Sequence, residues 1–140
     1  MADLRAALVN IRRLPTATAQ LGAVGFCFGG GMVWNLVPPS ATAALNAAVP
    51  FYGPPPSDPA VLASTKTNVL AVYAEQDTRI TSSRVQVEEQ LKKAAVQYES
   101  AVFPGVNHAF HNDTSERYSP DQSQAAWLRT VEWFRRYLAA

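Results

Sequence analysis

Three residues of this chain carry side chains that together could perform nucleophilic catalysis: Cys27, Asp77 and His108. A cysteine thiol attacks a carbonyl carbon once a base takes its proton, and an imidazole is the usual base near neutral pH. A carboxylate on the other imidazole nitrogen fixes the tautomer and stabilises the positive charge that forms. Asp77 follows Cys27 by 50 residues and His108 follows Asp77 by 31, so only the fold could bring them together.

The segment Gly-Phe-Cys-Phe-Gly, residues 25–29, places the only cysteine between two glycines. G-x-C-x-G is the thiol form of G-x-S-x-G, in which the nucleophile sits in a strained turn between a strand and a helix. We expect small residues on either side to let the two elements approach. At a helix start the dipole favours a thiolate, and the backbone N–H of Phe28 would bind the oxyanion. The alternative is a buried cysteine ahead of a glycine-rich loop.

The apolar pattern predicts an α/β fold with about four mostly parallel strands flanked by helices. The strands are expected at 20–26, 43–50, 68–73 and 97–103, and the helices at 2–14, 29–37, 83–95 and 124–140. Residues 1–140 are expected to form a single domain. Ligands of parallel sheets bind beyond the carboxyl ends of the strands. Cys27, Asp77 and His108 each follow such an end, so we expect them to meet at one edge.

The acid and the base each have a plainer interpretation. Asp77 alone would more often be a loop residue or a helix cap, because Thr78 and the residues after it also offer capping groups. His108 alone would more often be a surface histidine, and we expect His111 to be an exposed loop residue. The order nucleophile, acid, base is that of the α/β-hydrolases, which favours the catalytic interpretation of the set.

Composition restricts the partners. The net charge is +1, which gives no electrostatic reason to expect nucleic acid or an anionic membrane. No apolar run approaches the ~20 residues of a membrane helix, and Asp3 comes before Arg12 and Arg13, unlike the charge order of a signal peptide. A single cysteine fits a reducing compartment, so we expect a cytoplasmic protein. We expect neither a metal nor another cofactor.

Several segments resemble the dienelactone hydrolase (carboxymethylenebutenolidase) family of the α/β-hydrolase superfamily. They are VGFCFGG at 24–30, YAEQDTRI at 73–80, PGVNHAFHNDTSERY at 104–118 and AAWLRTVEWF at 125–134. The resemblance implies a Cys-His-Asp triad of Cys27, His108 and Asp77 that hydrolyses the ester of a small lactone.

The chain resembles only the C-terminal half or so of that family, which makes it a truncated α/β-hydrolase-like domain. The family's front part supplies a second oxyanion donor, a glutamate on the resting cysteine and an arginine for the substrate carboxylate. A further arginine, four residues after the histidine in some members, corresponds to Asn112. Arg79 is the nearest cation that could replace them. Tyr52 and Phe26 are further candidates for substrate binding. Tyr52, like Phe51 beside it, would more often simply pack at the end of its strand.

We therefore expect a thiol-dependent hydrolase of a small ester or lactone, with activity reduced by the missing part of the pocket. The alternative is a non-catalytic remnant or binding module of the same fold that oligomerises. Strand 20–26 would be an edge strand, and an apolar edge invites pairing with another chain. We expect a homodimer or higher homo-oligomer through this edge.

Overall fold

Four short apolar segments form a parallel sheet in the order β1-β2-β3-β4. The computed structural model describes residues 1–18 and 20–139. Within them the strands are β1 (Gly22–Phe26), β2 (Ala47–Phe51), β3 (Asn68–Ala74) and β4 (Tyr98–Phe103). Every strand pair is parallel, so all four carboxyl ends lie at the same edge of the sheet. The predicted α/β class with four strands is confirmed.

Helices connect the strands and cover both faces of the sheet. They are α1 (Ala2–Arg12), α2 (Phe28–Trp34), the single turn α3 (Thr78–Thr81), α4 (Arg84–Ala94) and α5 (Pro120–Leu138), with a 3₁₀ turn at Pro59–Leu62. α5 begins four residues before the predicted start, with Pro120 in its first turn, where a missing N–H costs nothing. Residues 43–46 were predicted as strand but precede β2, and the N–H of Ala43 is held in a turn by the Ser40 hydroxyl.

Alternating side chains of the inner strands divide the core into two clusters. Val69, Ala71 and Tyr73 of β3 join the cluster that contains residues of α1, α2 and α4. Leu70, Val72 and Ala74 join the cluster on the opposite face, with α5. All five residues of β2 are buried. Burial on both faces is what a parallel sheet requires, and it explains why the inner strands read as unbroken apolar runs.

β1 forms one edge of the sheet, as the sequence predicts. It pairs with β2 alone among the described residues, and Val24 is 36% exposed. Within residues 1–18 and 20–139, no helix is both long enough and apolar enough to cross a membrane.

Candidate active site

Cys27 is the single residue between the end of β1 and the start of α2. Its backbone has φ 52° and ψ −118°, a left-handed conformation that non-glycine residues seldom adopt. The turn is held from both sides, because the N–H of Cys27 donates to the Phe51 carbonyl and the Cys27 carbonyl accepts from Gly31 N–H, each at 3.1 Å. Strain of this kind persists only where the surroundings impose it, and it often marks a functional position.

The close approach of strand and helix depends on Gly25. A Cβ at this position would lie 2.3 Å from the Gly29 carbonyl oxygen and 2.9 Å from Cγ2 of Val33. Gly29 itself is different, because a Cβ there would meet no atom within 4 Å. Both flanking glycines were expected to let β1 and α2 come close together. For Gly29 this expectation is wrong. Of the two glycines that flank Cys27, only Gly25 is required by close contact with described residues.

Asp77 and His108 form a hydrogen-bonded pair, with 2.6 Å between His108 Nδ1 and Asp77 Oδ2. Asp77 follows β3 at the start of α3 and is buried, whereas the side chain of His108 is 24% exposed. The Asp77 side chain makes no capping hydrogen bond to α3. The two loops that the sequence placed at neighbouring strand ends thus deliver a carboxylate and an imidazole to each other.

A second set of hydrogen bonds ties these two loops together. The Gly105 N–H donates to Glu75 Oε2 at 2.8 Å, and the Gln76 N–H donates to the Val106 carbonyl at 2.9 Å. Gly105 has φ 69°, which suits glycine. Glu75 therefore braces the histidine loop from the acid loop, a role that the sequence analysis did not assign to it.

Tyr52 lies close to His108 and lines the same pocket as Cys27. It directly follows β2 with φ 35°, its ring centroid is 5.0 Å from that of His108, and it shares the pocket wall with Cys27. Over residues 1–18 and 20–139, no hydrogen bond joins the Cys27 sulfur to the imidazole. Catalytic hydrogen bonds often tighten only when substrate binds.

Burial raises the pKa of the Cys27 thiol above its usual value, and the negative charge of Asp77 raises it further. Burial also raises the pKa of Tyr52, with a smaller contribution from a charge on Cys27. This direction opposes the thiolate expected at the start of α2 and favours the protonated thiol.

A pocket of about 780 Å³ opens beside Cys27. Phe26 and Tyr52, two of the predicted substrate-binding residues, line it. The third, Arg79, lies exposed on α3 and is not part of its wall. Phe28 begins α2 with its side chain 77% exposed, and its N–H belongs to the first turn, where helices leave donors without an intrahelical partner.

His111 is a pocket residue that the sequence analysis missed. It was expected to be exposed, but its ring stacks on Phe26 at 5.0 Å between centroids. Burial lowers the pKa of His111, while Asp113 opposes that shift. The left-handed backbone of Ala109, at φ 66°, separates His108, which faces Asp77, from His111, which lines the pocket. The apolar neighbours of His111 in "HAFHND" were the available signal.

Metal ligation has no obvious location in this arrangement. Over the described stretches 1–18 and 20–139, no three His, Cys, Asp or Glu side chains gather closely enough to hold a metal ion.

Comparison with known proteins gives relatives over nearly the whole chain. The dienelactone hydrolase family pattern matches residues 1–138. A protein of Methylorubrum extorquens, provisionally named a carboxymethylenebutenolidase, is 32% identical to this chain. The match includes 98% of this chain and 50% of that protein. Protein usf of Aquifex pyrophilus is 31% identical, with 88% of this chain covering 54% of it. The chain thus spans about half the length of the curated relatives it matches.

Solved structures show the same fold. A provisionally named dienelactone hydrolase from Klebsiella pneumoniae superposes with a TM-score of 0.83 at 27% identity, covering 97% of this chain and 60% of that one. A dienelactone hydrolase-like promiscuous phosphotriesterase from metagenomic libraries gives a TM-score of 0.80 at 20% identity, over 94% of this chain and 59% of that one. At that identity the second likeness concerns the fold alone. With the family pattern extending over residues 1–138, this chain belongs to the dienelactone hydrolase family.

Proposed function

We propose that this chain hydrolyses a small carboxylic ester or lactone with Cys27 as nucleophile, His108 as base and Asp77 as the carboxylate that orients the base. The hydrogen bond between Asp77 and His108 at the strand ends is the observation that carries the proposal. Family membership and the carboxymethylenebutenolidase names of relatives support the ester or lactone class.

Because burial and the charge of Asp77 raise the pKa of Cys27, the proposed first step begins from the thiol. An ionised Asp77 oxygen only accepts hydrogen bonds, so Nδ1 of His108 donates to it and Nε2 is left with a lone pair. Nε2 takes the thiol proton as the sulfur attacks the ester carbonyl carbon. For this transfer the Cys27 sulfur must come within hydrogen-bond reach of Nε2 when the substrate binds. Asp77 stabilises the imidazolium that results.

The remaining steps return the proton and release the products. The tetrahedral oxyanion is bound by the Phe28 N–H at the start of α2. As it collapses, the imidazolium protonates the leaving alkoxide and a thioester remains on Cys27. His108 then takes a proton from water, the hydroxide oxygen attacks the thioester, and the carboxylic acid leaves as the thiol is restored. For a lactone, the alkoxide and the acid are two ends of one molecule.

The activity is expected to be weak. Acyl-transfer sites of this fold use two oxyanion donors, and we assign only the Phe28 N–H in this chain. One missing donor costs about 10²–10³ in kcat, so slow but measurable turnover is the expected result.

Intact-protein mass spectrometry during hydrolysis of p-nitrophenyl acetate tests the proposal. An acetyl group should appear on Cys27 and disappear as the ester is consumed. Cys27→Ala should remove both the adduct and the turnover, and His108→Ala should reduce turnover. Asp3→Asn changes an exposed residue of α1 and is the control for effects of substitution and purification that do not involve the site. Wild-type turnover that survives Cys27→Ala, or no turnover at all, would overturn the proposal.

The second candidate is a non-catalytic module that assembles through the sheet edge. One side of β1 has no strand beside it in the part of the chain that the structure describes, and this together with the 36% exposure of Val24 favours the assembly. We propose a homodimer or higher homo-oligomer through β1, which is compatible with either function. Sedimentation should give a mass above that of one chain, and Val24→Lys should lower it. Val85→Lys, on α4 where the valine is 58% exposed, is the matched control. A monomeric wild type would exclude this assembly.

A further inference from the structure

The pocket beside Cys27 has an aromatic wall. The His111 ring stacks on Phe26 with 29° between their planes, and its centroid lies 6.2 Å from that of Trp127 on α5. Trp127 is 44% exposed, so much of its surface remains free for a ligand. A row of rings that leads from the nucleophile to the solvent offers stacking and apolar contact to a planar group.

The pocket wall carries one carboxylate and no permanent cation. Asp113 is the acidic residue, and no lysine or arginine occurs in the part of the wall that the described residues form. Its remaining polar residues include Asn112 and Gln124, which carry neutral amides, and Ser123, whose hydroxyl donates to the Phe110 carbonyl at 2.8 Å. Burial lowers the pKa of His111 and so disfavours a positive charge on its imidazole, while Asp113 opposes that shift.

The charge distribution disfavours an anionic ligand. A carboxylate that leaves water is stabilised best by a cation. The described wall offers it only neutral donors such as the amide of Asn112, and the charge of Asp113 opposes it. Arg79, the cation that the sequence analysis offered, is exposed on α3 away from this wall. An uncharged substrate has no such cost, and it gains from the rings of Phe26 and Trp127.

We propose that this pocket selects uncharged esters with an aromatic or similarly flat apolar group, which lies against Trp127, and rejects esters that carry a carboxylate. The inference rests on the proposed function, because it assigns a substrate class to the same site. Trp127 is the specificity-determining residue for the ring, and the absence of a cation from the described wall determines the rejection of the anion.

Two esters of nearly equal size test the substrate class. Phenyl butanoate and the phenyl half-ester of succinic acid differ by a methyl group in place of a carboxylate. We expect kcat/KM to favour the butanoate by about tenfold or more, the scale of one unpaired charge in a partly exposed site. Trp127→Ala should raise KM for the butanoate by about tenfold through lost ring contact. Leu128→Ala removes the neighbouring side chain, which is 56% exposed and outside the wall, and should change nothing.

A charge placed in the wall should reverse the selection. Gln124→Lys puts a cation on the exposed wall position of α5, and Ala125→Lys puts the same charge on the next residue, outside the wall. The first variant should improve the half-ester relative to the butanoate about fivefold, and the second should leave the ratio unchanged. A wild-type preference for the half-ester, or equal effects of the two lysines, would overturn the proposal.

Alkylation of Cys27 separates failure of this inference from failure of catalysis. Iodoacetamide is neutral and iodoacetate is anionic, and both report on access to the thiol without turnover. The ratio of their rates on Cys27 should exceed the ratio on free cysteine by about fivefold, and Gln124→Lys should reduce it. If hydrolysis is absent while this ratio holds, the proposed function fails and the charge selection stands. If hydrolysis occurs while the ratio equals that of free cysteine, the selection fails.

Discussion

Nδ1 of His108 lies 2.6 Å from Oδ2 of Asp77, across 31 residues of sequence and between the ends of adjacent strands. The distance is at the short end for hydrogen bonds to an ionised acceptor. Burial of Asp77 limits the water that could compete for this bond. With Asp77 ionised, Nδ1 of His108 is the donor in this pair, and Nε2 is the nitrogen that Asp77 does not hold.

Replacing Asp77 by asparagine should reduce ester hydrolysis by about 10²–10⁴-fold. An amide can donate to Nδ1, which favours the wrong tautomer and leaves the basic nitrogen protonated. The expected loss is in kcat more than in KM, because Asp77 does not line the pocket. Steady-state kinetics with phenyl butanoate measures it, with Asp3→Asn as the control on an exposed helix. An unchanged kcat would remove Asp77 from the mechanism.

The same Asp77→Asn substitution should make Cys27 easier to ionise. Burial is the larger cause of the raised pKa of Cys27 and the charge of Asp77 is the smaller. In the wild type, the pH midpoint of iodoacetamide alkylation should therefore lie above that of a free thiol. Removing the carboxylate should move the midpoint down while hydrolysis falls. A midpoint that rises in Asp77→Asn would contradict the assigned charge effect.

Glu75 should act as a positioning residue for the histidine loop. Its Oε2 accepts from the Gly105 N–H at 2.8 Å, three residues before His108. Glu75→Ala removes that acceptor from an exposed site, so we expect a loss of about 1 kcal/mol in the free energy of unfolding. A fall in kcat with little change in KM should accompany it. Glu75→Gln keeps an acceptor oxygen and should restore kcat, whereas a purely electrostatic role would leave Gln as impaired as Ala.

Much of the fold could be predicted from the sequence because parallel strands buried on both faces are unbroken apolar runs. The predictions at 68–73 and 97–103 agree closely with β3 and β4. The strand predicted at 43–50 began too early, since Ala43 and Leu45 before β2 are apolar and buried without being extended in the sheet. The turn α3 was missed because it is four residues long, too short for helical periodicity.

The proximity of Asp77 and His108 could be predicted from the sequence, whereas the electrostatics around Cys27 could not. Strand ends located Cys27, Asp77 and His108 near one edge, since parallel strands share that edge. The direction of the Cys27 pKa shift could not be predicted, because it depends on burial and on the distance to Asp77. His111 was missed for a related reason, since whether a loop histidine stacks on Phe26 depends on the path of the loop.

The two glycines that flank Cys27 should respond in opposite ways to alanine. At Gly25 the added Cβ would lie 2.3 Å from the Gly29 carbonyl oxygen, and this backbone atom cannot move without opening the contact between β1 and α2. We expect Gly25→Ala to cost about 1–3 kcal/mol of unfolding free energy, the scale of overpacking in a core.

At Gly29 the added Cβ would meet nothing within 4 Å, and the residue lies inside α2. Alanine favours a helix over glycine by about 0.5–1 kcal/mol, so Gly29→Ala should leave stability unchanged or raise it. Urea unfolding of both variants measures the difference, and the rate of Cys27 alkylation reports on the turn itself. If Gly29→Ala proves as destabilising as Gly25→Ala, close approach at Gly25 does not explain the glycine spacing around the nucleophile.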